Sequence, residues 1–394
     1  MKHIYALAST LPTMDLQNMR VLLRVDLNIP LSGTKILNDF RLKAIQPTID
    51  LLIQKKACIT IVTHIGRPKD QDPGLSTQLL IPWFKKHGYQ IVFAPSIEDA
   101  AKMQNPSQIV LLENIRFWPE EQMGCPALAH ALRNISDIFV QDAFGVLHRN
   151  DTSVVILPML YPEKHRTIGL LVEQELLALN KIVYKPKKPT LAIIGGSKIA
   201  TKLPLIKNML TIADTIALLP ALSFSFAHAQ GQSVGCSLIE TNYKSTIRAI
   251  LSAACKEHKK IILPRDYIVS SNSWSGPFNT IVANQFDQQD MGITIGPITT
   301  KLYKKYITQA KTVIFNGVAG DLSYKKTCAP MRALFKAVCD SQAYSIVAGG
   351  DSLAMLEHFK LVDCVSYCSS GGGSSITYLS GQPLIGLEPF VKTK

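Results

Sequence analysis

Apolar and polar positions follow two different patterns along this chain. Short apolar runs rich in β-branched residues predict strands, and longer stretches with helical spacing lie between them. The first series of candidate strands is Arg20–Val25, Cys58–Val62, Gln90–Phe93, Ile109–Leu112 and Ile138–Gln141. A second series comprises Thr190–Ile194, Thr215–Leu219, Lys260–Leu263, Thr312–Phe315 and Ser345–Val347, with helical patterns such as Leu42–Lys55, Thr77–His87 and Ile199–Ala213. This alternation predicts an α/β fold with parallel sheets covered by helices on both faces, built as two units.

An amphipathic stretch separates the two series. It covers Leu171–Lys185 and ends in a segment with prolines at 186 and 189, which stop a helix. We therefore expect an interdomain helix and linker at 171–188, between a first lobe at 1–170 and a second lobe at 189–375. The length of 394 residues agrees with two domains, because it exceeds what one hydrophobic core usually serves.

The composition is that of a globular protein with an excess of cations. Of the residues, 47% are hydrophobic and 18% are charged, and no apolar run approaches the roughly 20 residues of a membrane helix. The net charge of +13 favours anionic partners, either nucleic acid or small phosphates. Runs of Lys and Arg, zinc-finger spacing and aromatic-rich basic motifs are all missing from the sequence, which disfavours nucleic acid.

The eight cysteines give no pattern of a metal site. Only Cys364 and Cys368 are close in sequence, and no second Cys or His pair accompanies them. We therefore expect buried, reduced thiols and a cytosolic location.

Polar and cationic residues recur directly after the strands of the first series. In doubly wound sheets, ligands bind beyond the carboxyl ends of the strands. Taken singly, such a residue is more often part of the surface than of a site. Together, five arginine side chains that converge would be destabilising unless an anion lay between them, so they predict a pocket for a small, highly charged anion. The residues concerned are Arg24, Asp26, Asn28, Arg41, His64, Arg67, Arg116, His148 and Arg149.

The second series carries glycines where the first carries arginines. Neither a P-loop nor a dinucleotide fingerprint after a first strand occurs, and the latter absence disfavours a nicotinamide dehydrogenase. Instead, Gly195 and Gly196 lead into a predicted helix with Lys198 and Lys202 on one face, an arrangement that favours phosphate.

Two further glycine segments repeat this design. Gly349 and Gly350 precede Asp351, which is either a helix N-cap or a ligand of nucleotide-bound Mg2+. The triglycine 371–373 is either a flexible linker or a third helix start that faces an anion.

These segments, in this order, resemble the phosphoglycerate kinase family over nearly the whole chain. The matching stretches are 21–31 (VLLRVDLNIPL), 39–44, 64–68, 111–117, 142–149, 195–202, 291–297, Asn316-Gly317, 349–352 and the triglycine.

The resemblance implies two sites. Its 3-phosphoglycerate site falls on Asp26, Asn28, Arg41, His64, Arg67, Arg116 and Arg149, and we place Arg24, His148, Gly371, Gly372 and Gly373 with it. Its nucleotide site falls on Gly196, Lys198, Lys202, Asn316, Gly317, Gly320, Ser323, Gly349, Gly350, Asp351 and Ser352, with Asp351 holding Mg2+. Lys198 and Arg41 would stabilise the phosphoryl group during transfer between ATP and 3-phosphoglycerate.

The family's fold is two Rossmann-like three-layer α/β/α lobes joined by an interdomain helix and hinge. The resemblance implies that segment 376–394 returns to the first lobe, that the hinge closes over both substrates, and that the protein is a cytoplasmic monomer. It implies ATP, ADP and 1,3-bisphosphoglycerate as further ligands, and neither nucleic acid nor a membrane as a partner.

Two departures from the family pattern lie around the nucleotide. Leu219-Pro220-Ala221 stands where the family usually has a triglycine, and Ser323 stands where a glutamate usually binds the ribose. Asp321 is a possible substitute carboxylate. We expect a raised Michaelis constant for the nucleotide, and the alternative is a catalytically weak member with altered nucleotide preference and a binding role.

Overall fold

The computed structural model describes residues 7–271 and 273–391, which divide into two compact units. The first unit runs to Leu177 and includes the segment from Pro383, and the second is Ala178–Gln382. The strands are β1 (Arg20–Val25), β2 (Leu31–Ser32), β3 (Lys35–Ile36), β4 (Cys58–Val62), β5 (Ile91–Ala94), β6 (Ile109–Leu112), β7 (Ile138–Asp142), β8 (Arg166–Ile168), β9 (Thr190–Ile194), β10 (Thr215–Leu218), β11 (Lys260–Ile262), β12 (Asp266–Ser271), β13 (Phe278–Val282), β14 (Asp290–Ile295), β15 (Thr312–Asn316), β16 (Tyr344–Ala348) and β17 (Tyr367–Ser369).

The α-helices lie between the strands and vary widely in length. They are α1 (Phe40–Ala44), α2 (Gln46–Gln54), α3 (Ile81–Lys86), α4 (Ile97–Met103), α5 (Glu120–Met123), α6 (Pro126–Asn134), α7 (Leu157–Met159), α8 (Leu170–Val183), α9 (Ile199–Ile212), α10 (Leu222–Ala229), α11 (Lys244–Lys256), α12 (Pro297–Gln309), α13 (Lys325–Asp340), α14 (Gly350–His358) and α15 (Gly373–Leu379). None of the helices described is long and apolar enough to cross a membrane.

The first unit is built on a parallel sheet with the strand order β5-β6-β4-β1-β7-β8. Successive residues of β1 enter different cores: Val21 and Leu23 pack on one face of the sheet, and Leu22 packs on the other. This arrangement needs apolar side chains at every position, which explains the continuous apolar runs in the sequence.

The second unit repeats the design with the order β11-β10-β9-β15-β16-β17, again parallel. It also carries a three-stranded antiparallel sheet, β13-β12-β14, which we did not predict. The predicted fold class, two α/β units with parallel sheets, is confirmed.

Helix α8 contains the division between the two units, which falls after Leu177. Near the other end of the chain, α15 belongs to the second unit, whereas the segment from Pro383 belongs to the first. In that segment the Gly386 amide donates to the Leu147 carbonyl at 2.9 Å, and Leu384 and Leu387 are fully buried.

The expectation of buried, reduced cysteines is wrong in two respects. Cys339 and Cys364 form a disulfide with Cα atoms 5.0 Å apart, and Cys236 and Cys255 are exposed. The disulfide joins the end of α13 to the segment before β17 across 25 residues, and no local spacing in the sequence signals such a tertiary contact.

Candidate active site

The polar residues of the first series meet at one edge of the first sheet. Strands β6, β4, β1 and β7 are adjacent and parallel, so their carboxyl ends lie side by side. Directly after these strands come Arg116, His64 with Arg67, Asp26 with Asn28, and His148 with Arg149. Arg41 stands at the start of α1 and reaches the same edge.

Asp26 and Arg41 form the centre of this cluster. Arg41 Nη1 donates to Asp26 Oδ1 at 2.6 Å and to the Asn28 carbonyl at 3.1 Å. Gly145 closes over the pair, because a Cβ atom there would lie 2.0 Å from Asp26 Oδ2 and 3.6 Å from Arg41 Nη2. A side chain at this position would therefore displace the carboxylate that orients Arg41.

Asn28 and Arg116 fix the backbone of the loop after β4. The Gly66 amide donates to Asn28 Oδ1 at 2.9 Å, and Arg116 Nη1 donates to the Gly66 carbonyl at 2.7 Å. Gly66 has a positive φ of 64°, which favours glycine. Asn114 is fully buried and donates to the carbonyls of Ile65 and Leu75, each at 2.8 Å, so it holds the two ends of this loop together.

His64 is buried and neutral. Burial holds the pKa of His64 well below its usual range, against the opposing effect of Asp26, whose carboxylate lies 4.0 Å away. Burial alone would raise the pKa of Asp26, but the charge of Arg41 and the hydrogen bond from the Asn28 amide outweigh it and lower the pKa. The cluster therefore contains an ionised Asp26 beside an uncharged imidazole.

Several buried donors at this edge have no hydrogen-bond partner among the described residues. They are His64 Nδ1 and the Nε and Nη2 atoms of Arg116, although Arg116 Nη2 lies 3.6 Å from Asp151 Oδ2. Burial, followed by the nearby charge of Arg149, lowers the pKa of Arg116. A buried nitrogen without a partner is costly, so the arrangement, with His64 in the tautomer that protonates Nδ1, is suited to an anion that accepts from all three atoms.

His148 lies at the margin of the same cluster and is half-buried. Burial and the charge of Arg149 lower the pKa of His148, and Asp151 and Asp26 oppose them. Arg67, in contrast, is exposed on the loop after β4.

Arg24, which we placed with the substrate site, is buried beneath the cluster. It is fully buried, donates from Nε to Ser153 Oγ at 2.7 Å, and has Nη2 3.6 Å from Glu121 Oε1. Glu121 is fully buried and accepts from the Ser153 amide at 2.9 Å. Ser153 lies in a π-helical turn, Thr152–Ile156, directly after Asp151, so Arg24 and Glu121 together hold this turn.

In the second unit, Lys202 lies beneath the glycines that follow β9. Its Nζ donates to Asn316 Oδ1, and a Cβ atom at Gly196 would lie 2.9 Å from Lys202 Cε. Burial lowers the pKa of Lys202 to about 8, partly offset by the charge of Asp351. Lys198, at the start of α9, is exposed.

Glycines after β15 and β16 allow the ends of β9, β15 and β16 to approach one another. Gly317 has φ 99°, and a Cβ atom there would lie 2.5 Å from the Gly195 backbone. The Gly317 amide donates to the buried Ser352 Oγ at 2.8 Å, and a Cβ atom at Gly349 would lie 3.1 Å from Asn316 Nδ2.

A cavity of about 830 Å3 opens beside these glycines. Its size is within the range of small-molecule sites. Gly320, with φ 83°, packs against the Thr327 carbonyl and bends the wall loop. The lining includes Gly196, Ala221, Trp274, Met291, Gly320, Asp321 and Asp351.

The remaining predicted residues of this unit lie close to the cavity loop or on other loops. Ser323 is exposed, and its amide donates to Asp321 Oδ1 at 2.7 Å. Gly350 is exposed at the start of α14. The segment Gly371-Gly372-Gly373 follows β17 and leads into α15, with φ 47° at Gly372.

Ala221 is the one alanine with a positive φ among the described residues. Its φ of 67° and ψ of −61° lie in the rare γ-turn region, which is strained for a residue with a side chain. It stands at the start of α10, in the segment where the family usually has glycine, so the departure noted in the sequence has a measurable conformational consequence.

Sequence reasoning missed residues that shape the site without carrying charge. Gly145 and Asn114 are the clearest cases, although both lie in stretches that match the family, 142–149 and 111–117. Met291 opens the matching stretch 291–297, whereas Trp274 lines the cavity outside every matching stretch.

The two units and their strand-end sites define a two-lobed α/β phosphotransferase. A family model described as phosphoglycerate kinase matches residues 11–382, so the chain belongs to the phosphoglycerate kinase family. The phosphoglycerate kinase of Moorella thermoacetica is 32% identical over 96% of this chain and 98% of its own length.

A second relative and two solved structures agree. The cytosolic phosphoglycerate kinase of Triticum aestivum is 34% identical, over 96% of each chain. The phosphoglycerate kinase structure from Coxiella burnetii has a TM-score of 0.83 and 32% identity, covering 96% of this chain and 97% of its own. That from Pyrococcus horikoshii OT3 has a TM-score of 0.84 and 26% identity, covering 97% and 98%.

Proposed function

We propose that the chain transfers a phosphoryl group reversibly between ATP and the carboxylate of 3-phosphoglycerate, with ADP and 1,3-bisphosphoglycerate as the other pair, in glycolysis and gluconeogenesis. Family membership supports this function. The observation that carries it is the set of buried donors without partners, His64 Nδ1 and two nitrogens of Arg116, beside the Asp26–Arg41 pair.

Substrate recognition follows from the chemistry of these side chains. Arg67, Arg116 and Arg149 would bind phosphate and carboxylate oxygens, since guanidinium groups donate in pairs. Asp26 and Asn28 would bind the substrate hydroxyl. His64, neutral at pH 7, would donate one N–H without adding charge.

The nucleotide would occupy the cavity of the second unit with Mg2+ on its phosphates. The donor set fits this ion, because Asp351 is exposed and lines the cavity. A single carboxylate suits Mg2+ that is held mainly by phosphate oxygens and water. When bound, the ion would neutralise phosphate charge.

The reaction needs positioning rather than proton transfer. The accepting carboxylate is already ionised at neutral pH, so no general base is required. Arg41 and Lys198 would stabilise charge on the phosphoryl group in transit, and Lys202 would bind a nucleotide phosphate. We further infer that a hinge at 171–188 closes the lobes before in-line transfer and thereby excludes water.

Nucleotide affinity is where this chain would differ from its relatives. Pro220 has no backbone N–H to donate, and Ala221 is strained at the cavity wall. Asp321 lines the cavity and is the candidate carboxylate for the ribose in place of Ser323. We expect a raised nucleotide Michaelis constant with normal binding of phosphoglycerate.

A coupled assay of ATP-dependent phosphorylation of 3-phosphoglycerate tests the function. Lys198→Ala should lower kcat by roughly 100-fold or more, the size typical for loss of one electrostatic contact to a transition state. Lys207→Ala is the matched control, because Lys207 is also exposed but lies farther along helix α9, away from the glycines that precede the helix. Wild-type protein that binds both ligands without turnover would instead support the catalytically weak member with a binding role.

Location and assembly complete the proposal. We infer a cytoplasmic monomer that binds neither nucleic acid nor membranes. The support for the location is the wheat relative's description as cytosolic, and the cysteines do not contribute to it.

A further inference from the structure

A second cavity in the second unit lies outside the site described above. It has a volume of about 540 Å3 and lies where β12 and β13 meet helices α12 and α13. Its residues are Ile268, Thr280, Pro297, Thr300, Lys301, Lys304, Lys326, Ala329, Pro330 and Ala333, and we call it the lysine groove.

The floor of the lysine groove is apolar. Ile268 and Pro330 are buried beneath it, and Ala329 and Ala333 present only methyl groups from α13. Small side chains on the helix leave the space that a larger residue would fill. The floor is therefore shaped for the apolar body of a ligand rather than for water.

The rim of the lysine groove is cationic. Lys301 and Lys304 are exposed and stand three residues apart, hence on one face of α12. Lys326 Nζ, from α13, donates to the Phe278 carbonyl, which fixes one of its three N–H groups and leaves two for a ligand.

Carboxylates of the described residues do not neutralise this rim. Helix α12 contains no Asp or Glu, and Asp340, the single acid of α13, pairs with Lys336 at 3.3 Å. Asp266, at the start of β12, is buried and accepts from the Ile298 and Thr299 amides at 2.9 and 2.7 Å. The rim therefore keeps a local positive charge over an apolar floor.

We propose that the lysine groove is a binding site for a small amphipathic anion, with an aromatic or acyl body on the floor and a carboxylate or sulfonate at Lys301 and Lys304. Charge complementarity sets the sign of the head group, and the volume sets a body of drug-like size. An apolar floor alone would also bind a neutral molecule, so it is the lysines of the rim that make the site selective for anions.

Fluorescence titration with anilinonaphthalene sulfonate tests the proposal on the whole protein, with saturating ADP present to fill the nucleotide cavity. The neutral analogue N-phenylnaphthylamine has the same aromatic body without the sulfonate. We expect saturable binding of the sulfonate, at least tenfold weaker in Lys301→Ala/Lys304→Ala, and much weaker binding of the neutral analogue.

Two further variants separate the groove from general effects of charge. Lys305→Ala removes a neighbouring exposed charge of α12 that does not line the groove, and affinity should stay within twofold. Ala333→Phe keeps every lysine but fills the floor, and binding should be lost. Equal weakening by Lys305→Ala, or unchanged affinity in the double variant or in Ala333→Phe, would overturn the proposal.

Discussion

At the scale of single residues, the buried arginine Arg24 and the exposed arginine Arg67 should serve different purposes. Arg24 pairs with the buried Glu121 and with Ser153, whereas Arg67 is exposed beside the substrate cluster. Arg24→Ala should lower the free energy of unfolding by about 3–5 kcal/mol, because it leaves a buried carboxylate without its cation. Urea denaturation measures this loss.

Arg67→Ala serves as the comparison. We expect its free energy of unfolding to stay within about 0.5 kcal/mol of wild type, as for most surface substitutions, while phosphoglycerate binding weakens. If Arg24→Ala proved as stable as wild type and weakened only ligand binding, a direct ligand contact would replace the positioning role of Arg24.

Ala221 offers a second test at the same scale. Its positive φ is costly for alanine but not for glycine, so Ala221→Gly should raise the free energy of unfolding by about 1 kcal/mol. Ala227→Gly, within helix α10, should lower it by about 1 kcal/mol or more. Urea denaturation of both variants checks the opposite signs, and a loss of stability in both would show that residue 221 is unstrained.

At the scale of elements, strand β7 carries an aspartate at each end with opposite shifts in pKa. Asp137, just before the strand, accepts three hydrogen bonds from Arg20, two from the guanidinium group and one from the backbone amide, and these lower the pKa of its carboxyl. Asp142, the last residue of β7, is fully buried and accepts from the Val172 amide of α8 at 3.0 Å. Burial raises the pKa of Asp142 to about 6.

These shifts predict opposite effects of pH on stability. Because its pKa is raised, Asp142 keeps its proton in the folded protein between about pH 4 and pH 6, where the unfolded chain loses it. The stability gained from this tighter proton binding is therefore lost as pH rises through that window. Asp142→Asn removes the titrating carboxyl. Between pH 4 and pH 7, the free energy of unfolding of this variant should therefore rise relative to that of wild type by up to about 3 kcal/mol.

Asp137→Asn is the matched control for this experiment. The lowered pKa of Asp137 contributes stability that is present above the pKa of the unfolded chain and lost as pH falls. The free energy of unfolding of Asp137→Asn should therefore fall relative to that of wild type as pH rises. Urea denaturation across the pH range measures both trends. A flat difference between Asp142→Asn and wild type would refute a buried, proton-retaining Asp142.

The sequence predicted strands best where both faces of the strand are buried. Strands β1, β4 and β6 begin and end at the predicted residues, because both faces of a parallel strand need apolar side chains. The predicted helix Leu42–Lys55 is divided, since Ile45 ends α1 and Pro47 lies in the first turn of α2.

Tertiary contacts account for what the sequence did not show. The partner of Arg24 is 97 positions away, and a polar residue in a strand gives no sign of whether it faces a ligand or a buried carboxylate. The antiparallel strands β13 and β14 include partly exposed residues, and their apolar residues do not alternate regularly with polar ones. The local sequence therefore gave no clear indication that they pair with β12. Loop positions after strands, in contrast, followed directly from sheet topology.

At the scale of the whole molecule, the chain passes from the first unit into the second and then returns to the first. The Gly386 amide is bonded to the Leu147 carbonyl, which lies in the loop that carries Gly145, His148 and Arg149. A Cβ atom at Gly386 would lie 3.0 Å from Leu147 Cδ2 and 2.6 Å from a Val154 methyl group, so the returning segment packs tightly on this loop and on the turn that follows it.

Leu387 should therefore matter to the first unit although it is far from it in sequence. Its side chain is fully buried, and Leu387→Ala should lower the free energy of unfolding by about 2–5 kcal/mol. Because the segment supports the loop after β7, binding of 3-phosphoglycerate should weaken more than binding of ATP. Glu388→Ala, at the exposed neighbour, should change neither quantity. Urea denaturation and calorimetric titration of both ligands measure these effects, and equal behaviour of the two variants would show that the returning segment does not support the substrate loop.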